Sequence, residues 1–272
     1  MMAGKPLYTK ELAGAGPALV FLPGVGGTTR YWESRVTPLS HSHRLVLVDL
    51  LGFGKSPKPW IRYTVDRHVA GLRRVLGERE PFTLVGHSFG AVAAVAYAAR
   101  YPEQVEGLVL FSLPCFGSLD QAIGYYRRRG GPDRWLMTNV VLAAVTCVVT
   151  RRILGRLMPR LLSDMPREVA EDLVQHTWLS STSTIWEGVY RHDVARDADR
   201  LPPELSVLCL HGDRDVTAPL EYVRRLTEGR PQWTLRVMPD VDHHPLLRDP
   251  ARCLDAIREF VAPPRRAVAI AE

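Results

Sequence analysis

A serine at position 88 has the sequence surroundings that a nucleophile needs. It stands at the centre of Gly-His-Ser-Phe-Gly, residues 86–90, between an apolar run and an alanine-rich segment. A serine hydroxyl attacks a carbonyl carbon well only when it is exposed, close to a base and close to donors for the oxyanion. A sharp turn from a strand into a helix would expose Ser88, and such a turn requires minimal side chains such as Gly86 and Gly90. Without its flanks the pattern would equally fit a plain glycine-rich turn, so the flanks are what predict a nucleophile.

Two segments could supply the donors for an oxyanion. On a strand-to-helix turn, the backbone N–H of Phe89 points at the forming oxyanion from the positive end of the helix. Residues 23–27, Pro-Gly-Val-Gly-Gly, follow an earlier apolar run, and their glycines would let the backbone approach a substrate carbonyl. We predict that the N–H of Val25 is the second donor, with Gly26 as the alternative and Gly24 beside the substrate.

A carboxylate is available on the loop after a late apolar run. Residues 207–210 lead into His-Gly-Asp-Arg-Asp, residues 211–215, which places two aspartates at the end of a predicted strand. Asp215 stands three residues beyond the glycine and four before a proline, and we prefer it as the acid of a triad. Asp213 is then interpreted as a turn residue.

A base is expected on the loop after the last predicted strand, which carries His243 and His244. A serine nucleophile needs an imidazole to take its proton and a carboxylate to orient that imidazole. Spacing alone leaves both histidines open. His87 adjoins Ser88 in the chain and should point elsewhere on the turn, so we interpret it as a packing residue at the border of the substrate site.

Apolar runs alternate with amphipathic segments over most of the chain. The runs that predict strands are residues 18–22, 44–48, 82–85, 105–111, 207–210 and 234–237. The patterns that predict helices are residues 29–39, 65–76, 91–99, 220–226 and 247–260. This alternation predicts an α/β fold, with a mostly parallel central sheet covered by helices on both faces.

The alternation lapses in the middle of the chain, where only helical patterns rich in Arg and Trp occur. A stretch of this length is far longer than an ordinary connection. The sequence therefore predicts a core of residues 1–113 and 204–272 with residues 114–203 inserted as a helical cap. The longest apolar run, residues 140–149, is too short to span a bilayer and is interpreted as a buried helix or the lining of a hydrophobic cleft.

The amino-acid composition is typical of some classes of protein and argues against others. Hydrophobic residues are 46% and charged residues 24%, as in soluble globular proteins. The net charge of +6 comes from scattered basic residues without the basic and aromatic pattern of a nucleic-acid module. The four cysteines have neither CxxC pairing nor metal-ligand spacing, which predicts reduced thiols, no metal and a cytoplasmic protein. Residues 1–14 lack the long apolar stretch of a signal peptide, and no membrane span is predicted.

In order and spacing, these segments resemble the α/β-hydrolase superfamily, in the branch that carries a cap. The matching segments are residues 21–27, 49–56, 86–90, 211–215, 243–245 and 249–250. The resemblance implies a helical cap over the site and a triad in the chain order Ser, Asp, His. In the family the acid usually lies three residues after the glycine and the histidine seven before a proline, which matches Asp215 and His243. Pro23 stands where members often have histidine, a departure from the family pattern next to the predicted Val25 donor.

The resemblance and the residues together predict a serine hydrolase that needs no cofactor. It would cleave an ester or thioester of a largely hydrophobic small molecule through an acyl-enzyme. Capped relatives that act as epoxide hydrolases or haloalkane dehalogenases use an aspartate nucleophile, so Ser88 argues against both of these activities. The residues expected to line the substrate site are Gly24, His87, Trp135, Val140 and Trp186. The arginine-rich insertion would suit an acyl carrier protein or a CoA thioester, and we expect a monomer or homodimer.

Two alternatives remain open at this point. The same triad could perform acyl transfer, elimination or cyclisation in a biosynthetic pathway. The fold could also belong to a ligand-binding protein without catalytic activity.

Overall fold

A seven-stranded sheet forms the centre of the protein, whose computed structural model describes residues 5–131, 133–154, 160 and 164–262. The strands are β1 (Thr9–Leu12), β2 (Ala18–Leu22), β3 (Arg44–Val48), β4 (Phe82–His87), β5 (Val105–Phe111), β6 (Val207–Gly212) and β7 (Trp233–Met238). Their order in the sheet is β1-β3-β2-β4-β5-β6-β7. β1 is antiparallel to β3, and the other neighbouring pairs are parallel. The predicted mostly parallel sheet is therefore confirmed.

The register of the sheet aligns the carboxyl ends of its central strands. Leu22 pairs with Gly86 at the ends of β2 and β4, and Gly212 pairs with Met238 at the ends of β6 and β7. His87, the last residue of β4, pairs with the last residue of β5. Because parallel strands end at one edge, the loops that follow them emerge side by side, where ligands bind in open α/β sheets.

The helices flank the sheet and fill the long connection between β5 and β6. They are α1 (Thr29–Val36), α2 (Val65–Leu76), α3 (Phe89–Ala98), α4 (Leu119–Arg129), α5 (Arg134–Thr138), α6 (Val140–Val149), α7 (Arg167–Asp172), α8 (Trp178–Ser183), α9 (Val194–Ala198), α10 (Leu220–Thr227), α11 (Pro245–Arg248) and α12 (Pro250–Val261). Short 3₁₀ turns occupy Thr37–His41 and Pro102–Gln104, and π-helical turns occupy Thr150–Leu154 and Thr184–Tyr190.

Both faces of the sheet are covered because its central strands are apolar on both sides. The residues of β2, Ala-Leu-Val-Phe-Leu, are all buried. One face packs against α2, α3 and α10, and the other packs against α1 and α12. Every residue of α3 is buried, and its run of alanines lets the helix lie close to both the sheet and α2. A rigid helix therefore starts directly behind Ser88.

The described residues between β5 and β6 form helices and turns, with no strand among them. They share a small aromatic core built from Phe116, Tyr126, Trp186 and Tyr190. α6 has the bounds that its apolar run predicted, but none of its residues is buried. The prediction that α6 is a buried helix is therefore wrong. An apolar run predicts that a helix forms, but it does not show whether another part of the fold covers that helix. Within the described ranges, no helix combines the length and apolar character needed to cross a membrane.

Two buried histidines make the stability of the fold sensitive to acid. Burial lowers the pKa of His68 to about 3, and burial together with nearby Arg151 lowers the pKa of His176 to about 4, from an ordinary value of 6.5. The unfolded chain therefore takes up these protons first, so the free energy of unfolding falls as the pH drops below 6.5. The loss should continue until the pH reaches the folded pKa, with a slope of up to about 1.4 kcal/mol per pH unit for each histidine.

Urea unfolding between neutral pH and about pH 4 tests this expectation. His68→Asn should lower stability at neutral pH but give a shallower slope below pH 6.5 than the wild type. The matched control is His41→Asn, since His41 is exposed. A slope unchanged by His68→Asn would show that its protonation does not drive acid unfolding.

Candidate active site

Ser88 occupies a strained turn between β4 and α3. Its backbone has φ 52° and ψ −122°, a region that residues with side chains rarely adopt. The N–H of Ser88 donates to the carbonyl of Phe111 at 2.9 Å, which ties the turn to the end of β5. The side chain remains partly exposed. The turn thus presents an accessible hydroxyl on a fixed backbone.

The glycines around Ser88 are required by close backbone packing. A Cβ atom on Gly86 would lie 2.5 Å from the carbonyl oxygen of Gly90, and one on Gly90 would lie 2.1 Å from that of Leu22. A Cβ atom on Gly24 would come within 3.0 Å of the Cβ of Ser88. These approaches are open only to residues without side chains, and they bring the loop after β2 directly against the serine.

His243 joins Ser88 to Asp215 through two hydrogen bonds. Its Nε2 lies 2.9 Å from the Oγ of Ser88, and its Nδ1 lies 2.8 Å from Oδ2 of Asp215. An ionised carboxylate only accepts, so Nδ1 carries the proton and Nε2 is free to accept the proton of the serine hydroxyl. The three side chains have the geometry of a Ser-His-Asp triad.

The carboxylate of Asp215 is buried but well supplied with donors. The N–H groups of Thr217 and Ala218 donate to its Oδ1 at 2.9 and 2.8 Å. Burial raises the pKa of this carboxyl, but the charge of His243 and the hydrogen bonds to it outweigh burial, so the pKa lies below its usual value. Asp215 therefore stays ionised at neutral pH and fixes the imidazole.

A close contact at Gly212 places the loop that carries His243. A Cβ atom on Gly212 would lie 2.1 Å from the carbonyl oxygen of Val241. The next residue, Asp242, forms an ion pair with Arg248 at 2.6 Å. The glycine lets the loop cross β6 closely, and the ion pair anchors it to α11. Both contacts set the position of the imidazole.

His87 contacts the backbone of the triad histidine, His243. Its Nε2–H donates to the backbone carbonyl of His243 at 2.8 Å, and its ring stacks on Tyr31 with centroids 4.8 Å apart. Burial, followed by the charges of His243 and His244, holds the pKa of His87 well below its usual value. The ring is therefore neutral, and with its Nε2 proton engaged by a carbonyl it positions the backbone of His243.

The two residues predicted to supply the oxyanion donors are both close to the site, since Phe89 directly follows Ser88 and Val25 lines the same cavity as Ser88. Phe89 is the first residue of α3, where helical N–H groups lack partners within the helix. Val25 follows Gly24 and lines the cavity above the serine. Neither N–H donates to a backbone carbonyl of the described residues. The role of these N–H groups as oxyanion donors stays a prediction.

A cavity of about 310 Å³ opens onto Ser88 and His243. Its other lining residues are Gly24, Val25, Gly27, Tyr31, His87, Pro114, Tyr126, Met137, Met165, Val169, Leu173, Ile185, Val189, Tyr190, Thr217 and His244. No Asp, Glu, Lys or Arg of the described chain is among them. The hydroxyls of Tyr126 and Tyr190 are occupied by the backbone carbonyls of Thr217 and Met137. The wall is therefore mostly apolar.

Residues 19–256 match the sequence model of the alpha/beta hydrolase family. The chain belongs to this family. The match spans both the segments before the helical insertion and those after it, and it confirms the superfamily, fold class and enzyme class that the motifs predicted.

Two relatives of this alpha/beta hydrolase align with most of the chain at about a quarter identity. The pimeloyl-acyl-carrier-protein methyl ester esterase of Aeromonas hydrophila is 27% identical over 261 residues, covering 92% of this chain and 98% of the relative. An uncharacterised protein of Mycobacterium tuberculosis is 26% identical over 265 residues, covering 92% and 77%. Among solved structures, E-2-(acetamidomethylene)succinate hydrolase has a TM-score of 0.73 at 22% identity, covering 94% of each chain, a likeness of fold.

Three residues that were expected to line the cavity of this hydrolase lie elsewhere. Trp135 and Val140 are exposed to solvent, and Trp186 packs against Tyr190 in the aromatic core of the insertion. Their places at the wall are taken by neighbours such as Met137. The helical pattern shows that such residues are apolar, but tertiary packing decides which side of each helix faces the cavity.

Other lining residues of the hydrolase were missed by the sequence reasoning. Tyr31 comes from α1, while Val169 and Leu173 come from α7 and the turn after it. They carry no motif that marks a site. Thr217 had a signal, because it follows Asp215 by two residues on the loop after β6. Among the described residues, no group of three or more His, Cys, Asp or Glu side chains could hold a metal ion.

Proposed function

We propose that the protein is a serine hydrolase that cleaves an ester or thioester of a largely hydrophobic small molecule through an acyl-enzyme. The observation that carries this proposal is the chain of hydrogen bonds from Ser88 through His243 to Asp215 at the end of an apolar cavity. The relative from Aeromonas hydrophila, named as a methyl ester esterase, supports ester chemistry.

The proposed reaction begins with the transfer of the Ser88 hydroxyl proton to Nε2 of His243 as Oγ attacks the carbonyl carbon. Asp215 stabilises the resulting imidazolium and holds its tautomer. The N–H groups of Val25 and Phe89 bind the negative oxygen of the tetrahedral intermediate. His243 then gives the proton to the leaving oxygen or sulfur, and an acyl group remains on Ser88.

Water completes the cycle. His243 takes a proton from a water molecule, whose oxygen attacks the acyl carbon and forms a second tetrahedral intermediate at the same donors. Collapse of this intermediate returns the proton to Oγ of Ser88 and releases a carboxylic acid. Apart from this water molecule, the proposed steps use only side chains and backbone groups of the protein.

The substrate preference follows from the cavity wall. Without a charged side chain among its described residues, the wall offers no partner for an anionic acyl group, whereas it gains from each apolar group it covers. We place the substrate beneath a cap formed by residues 114–203, with residues 1–113 and 204–272 as the catalytic core. Met137 and Val189 bring this insertion to the cavity wall.

A series of chromogenic esters of increasing chain length tests the proposed preference. Each methylene that enters the cavity should contribute roughly 0.8 kcal/mol, so kcat/KM should rise by about fourfold per methylene until the cavity is full. Val189→Phe should reduce the space and move the optimum to shorter chains. Trp135→Phe, outside the cavity, is the matched control and should leave the profile unchanged. A flat profile in the wild type, or the same shift in both variants, would contradict a cavity that selects acyl length.

A further inference from the structure

An apolar stripe runs along the outside of α6 and the π-helical turn after it. The α6 stripe consists of Val141, Val145, Val149 and Ile153, each four residues beyond the previous one and hence on one side of the helix. Their exposed fractions are 68%, 53%, 40% and 69%. Trp135, on the preceding helix, is 58% exposed. Isolated exposed apolar residues are ordinary, but a continuous row of them marks a surface that binds a partner.

Arginines predominate in the sequence around the α6 stripe, and the carboxylates next to this stretch, Asp133 and Asp164, are already paired with Arg129 and Arg248. From Arg134 to Ser163 the sequence has five arginines and no aspartate or glutamate. Arg151 and Arg152 are exposed at the end of the stripe, and no carboxylate of the described residues pairs with either. The guanidinium of Arg134 lies over the ring of Trp135 at 4.8 Å from its centroid. The stripe is therefore flanked by cations at both ends.

The combination of an aliphatic row, an exposed tryptophan and flanking arginines is that of a segment lying in a lipid interface. An acidic protein would match both features only with an apolar groove shaped to the helix, whereas an anionic lipid surface offers negative charge and apolar depth without a matching shape. A neutral apolar surface would match the stripe but not the cations. We propose that the α6 stripe docks the protein on an anionic lipid surface, with the arginines at the headgroups and the aliphatic side chains at the acyl boundary.

The position of the stripe adds a consequence for the cavity. α5 carries Trp135 on its exposed side and Met137, two residues later, in the cavity wall. Docking through the α6 stripe would therefore bring one wall of the cavity close to the lipid surface. The docking itself does not depend on the triad and can be measured without any substrate.

Sedimentation of the full-length protein with vesicles tests the proposal. We expect binding to phosphatidylcholine vesicles that contain phosphatidylglycerol, much weaker binding to pure phosphatidylcholine vesicles, and release as the salt concentration rises. Arg151→Gln combined with Arg152→Gln should lower the partition coefficient by about tenfold or more. The matched control is Arg224→Gln with Arg225→Gln, an adjacent exposed pair on α10 that should bind as the wild type does.

The apolar part of the proposal is tested by Val141→Asp combined with Val145→Asp. This variant should also lose about tenfold or more of its binding, whereas Ala251→Asp, at an exposed position of α12, should not. Turnover of a short soluble ester should be unchanged in all variants, which separates loss of docking from loss of fold. If the aspartate variant does not fold, the arginine pair still decides the outcome.

Three results would overturn the proposal. The first is equal binding to anionic vesicles by the wild type and both α6 variants. The second is failure of the wild type to bind anionic vesicles while it forms a dimer that Val141→Asp with Val145→Asp converts to a monomer, since a second copy then covers the stripe. The third is the same failure accompanied by binding of an acidic carrier protein that the arginine variant abolishes.

Discussion

Ser88→Ala is expected to leave the fold intact and to lower turnover of a chromogenic ester by about 10⁴- to 10⁶-fold. The loss is large because the hydroxyl forms the covalent bond of the acyl-enzyme, and no other described hydroxyl lies within hydrogen-bond distance of Nε2 of His243. The fold should survive because alanine keeps the Cβ of Ser88 and removes only its Oγ, whose hydrogen bond is to Nε2 of His243.

Ser112→Ala provides a control for this result. Ser112 is also a serine with positive φ at the end of a strand, but it is fully buried and away from the cavity lining. Its removal should change turnover far less than removal of Ser88. Ester cleavage near the wild-type rate by folded Ser88→Ala protein would remove Ser88 from the mechanism.

Asp215→Asn should lower kcat by about 10⁴-fold while the protein remains folded. An amide in place of the carboxylate can present its NH₂ group to Nδ1 of His243, which turns the imidazole into the wrong tautomer. Its negative charge, which stabilises the imidazolium, is also lost. Initial-rate measurements over a range of substrate concentrations would separate the loss in kcat from any change in KM.

The matched control is Asp213→Asn on the same loop. Asp213 is exposed, and its contribution within the loop is a backbone N–H that donates to the carbonyl of Met238 at 3.1 Å. Replacing its side chain should alter kcat only slightly. Equal losses in the two variants would mean that the loop as a whole, rather than the Asp215 carboxylate, supports activity.

The sequence predicted the strands that carry the site, because each of these strands is an apolar run that ends at a glycine or a polar loop. The exception is β1, Thr9–Leu12, which is short and contains Lys10 and Glu11. It lies at the edge of the sheet, pairs with β3 alone among the described strands, and has no buried residue. An edge strand of this kind does not need an apolar run, so hydrophobic patterning does not reveal it.

The side chains at Ser88, Asp215 and His243 could be predicted since each follows a strand whose end must lie at one edge of the sheet. The role of His87 could not, because it rests on a hydrogen bond to the backbone of His243, more than 150 residues away in the chain. The residues that line the cavity could not be predicted from the sequence either. Trp135 and Met137 differ by two residues on one helix, and only the packing of that helix decides which of them faces the cavity.

Labelling with a small fluorophosphonate, followed by mass spectrometry of the digested protein, tests the central claim most directly. The reagent reacts only with a serine that a neighbouring base activates, and its phosphonyl oxygen needs the same donors as the oxyanion. We expect a single adduct on Ser88, formed at a rate that His243→Ala lowers greatly and with concurrent loss of ester cleavage. An adduct on another residue of active protein, or full activity after Ser88 is labelled, would contradict the assignment of Ser88 as the nucleophile.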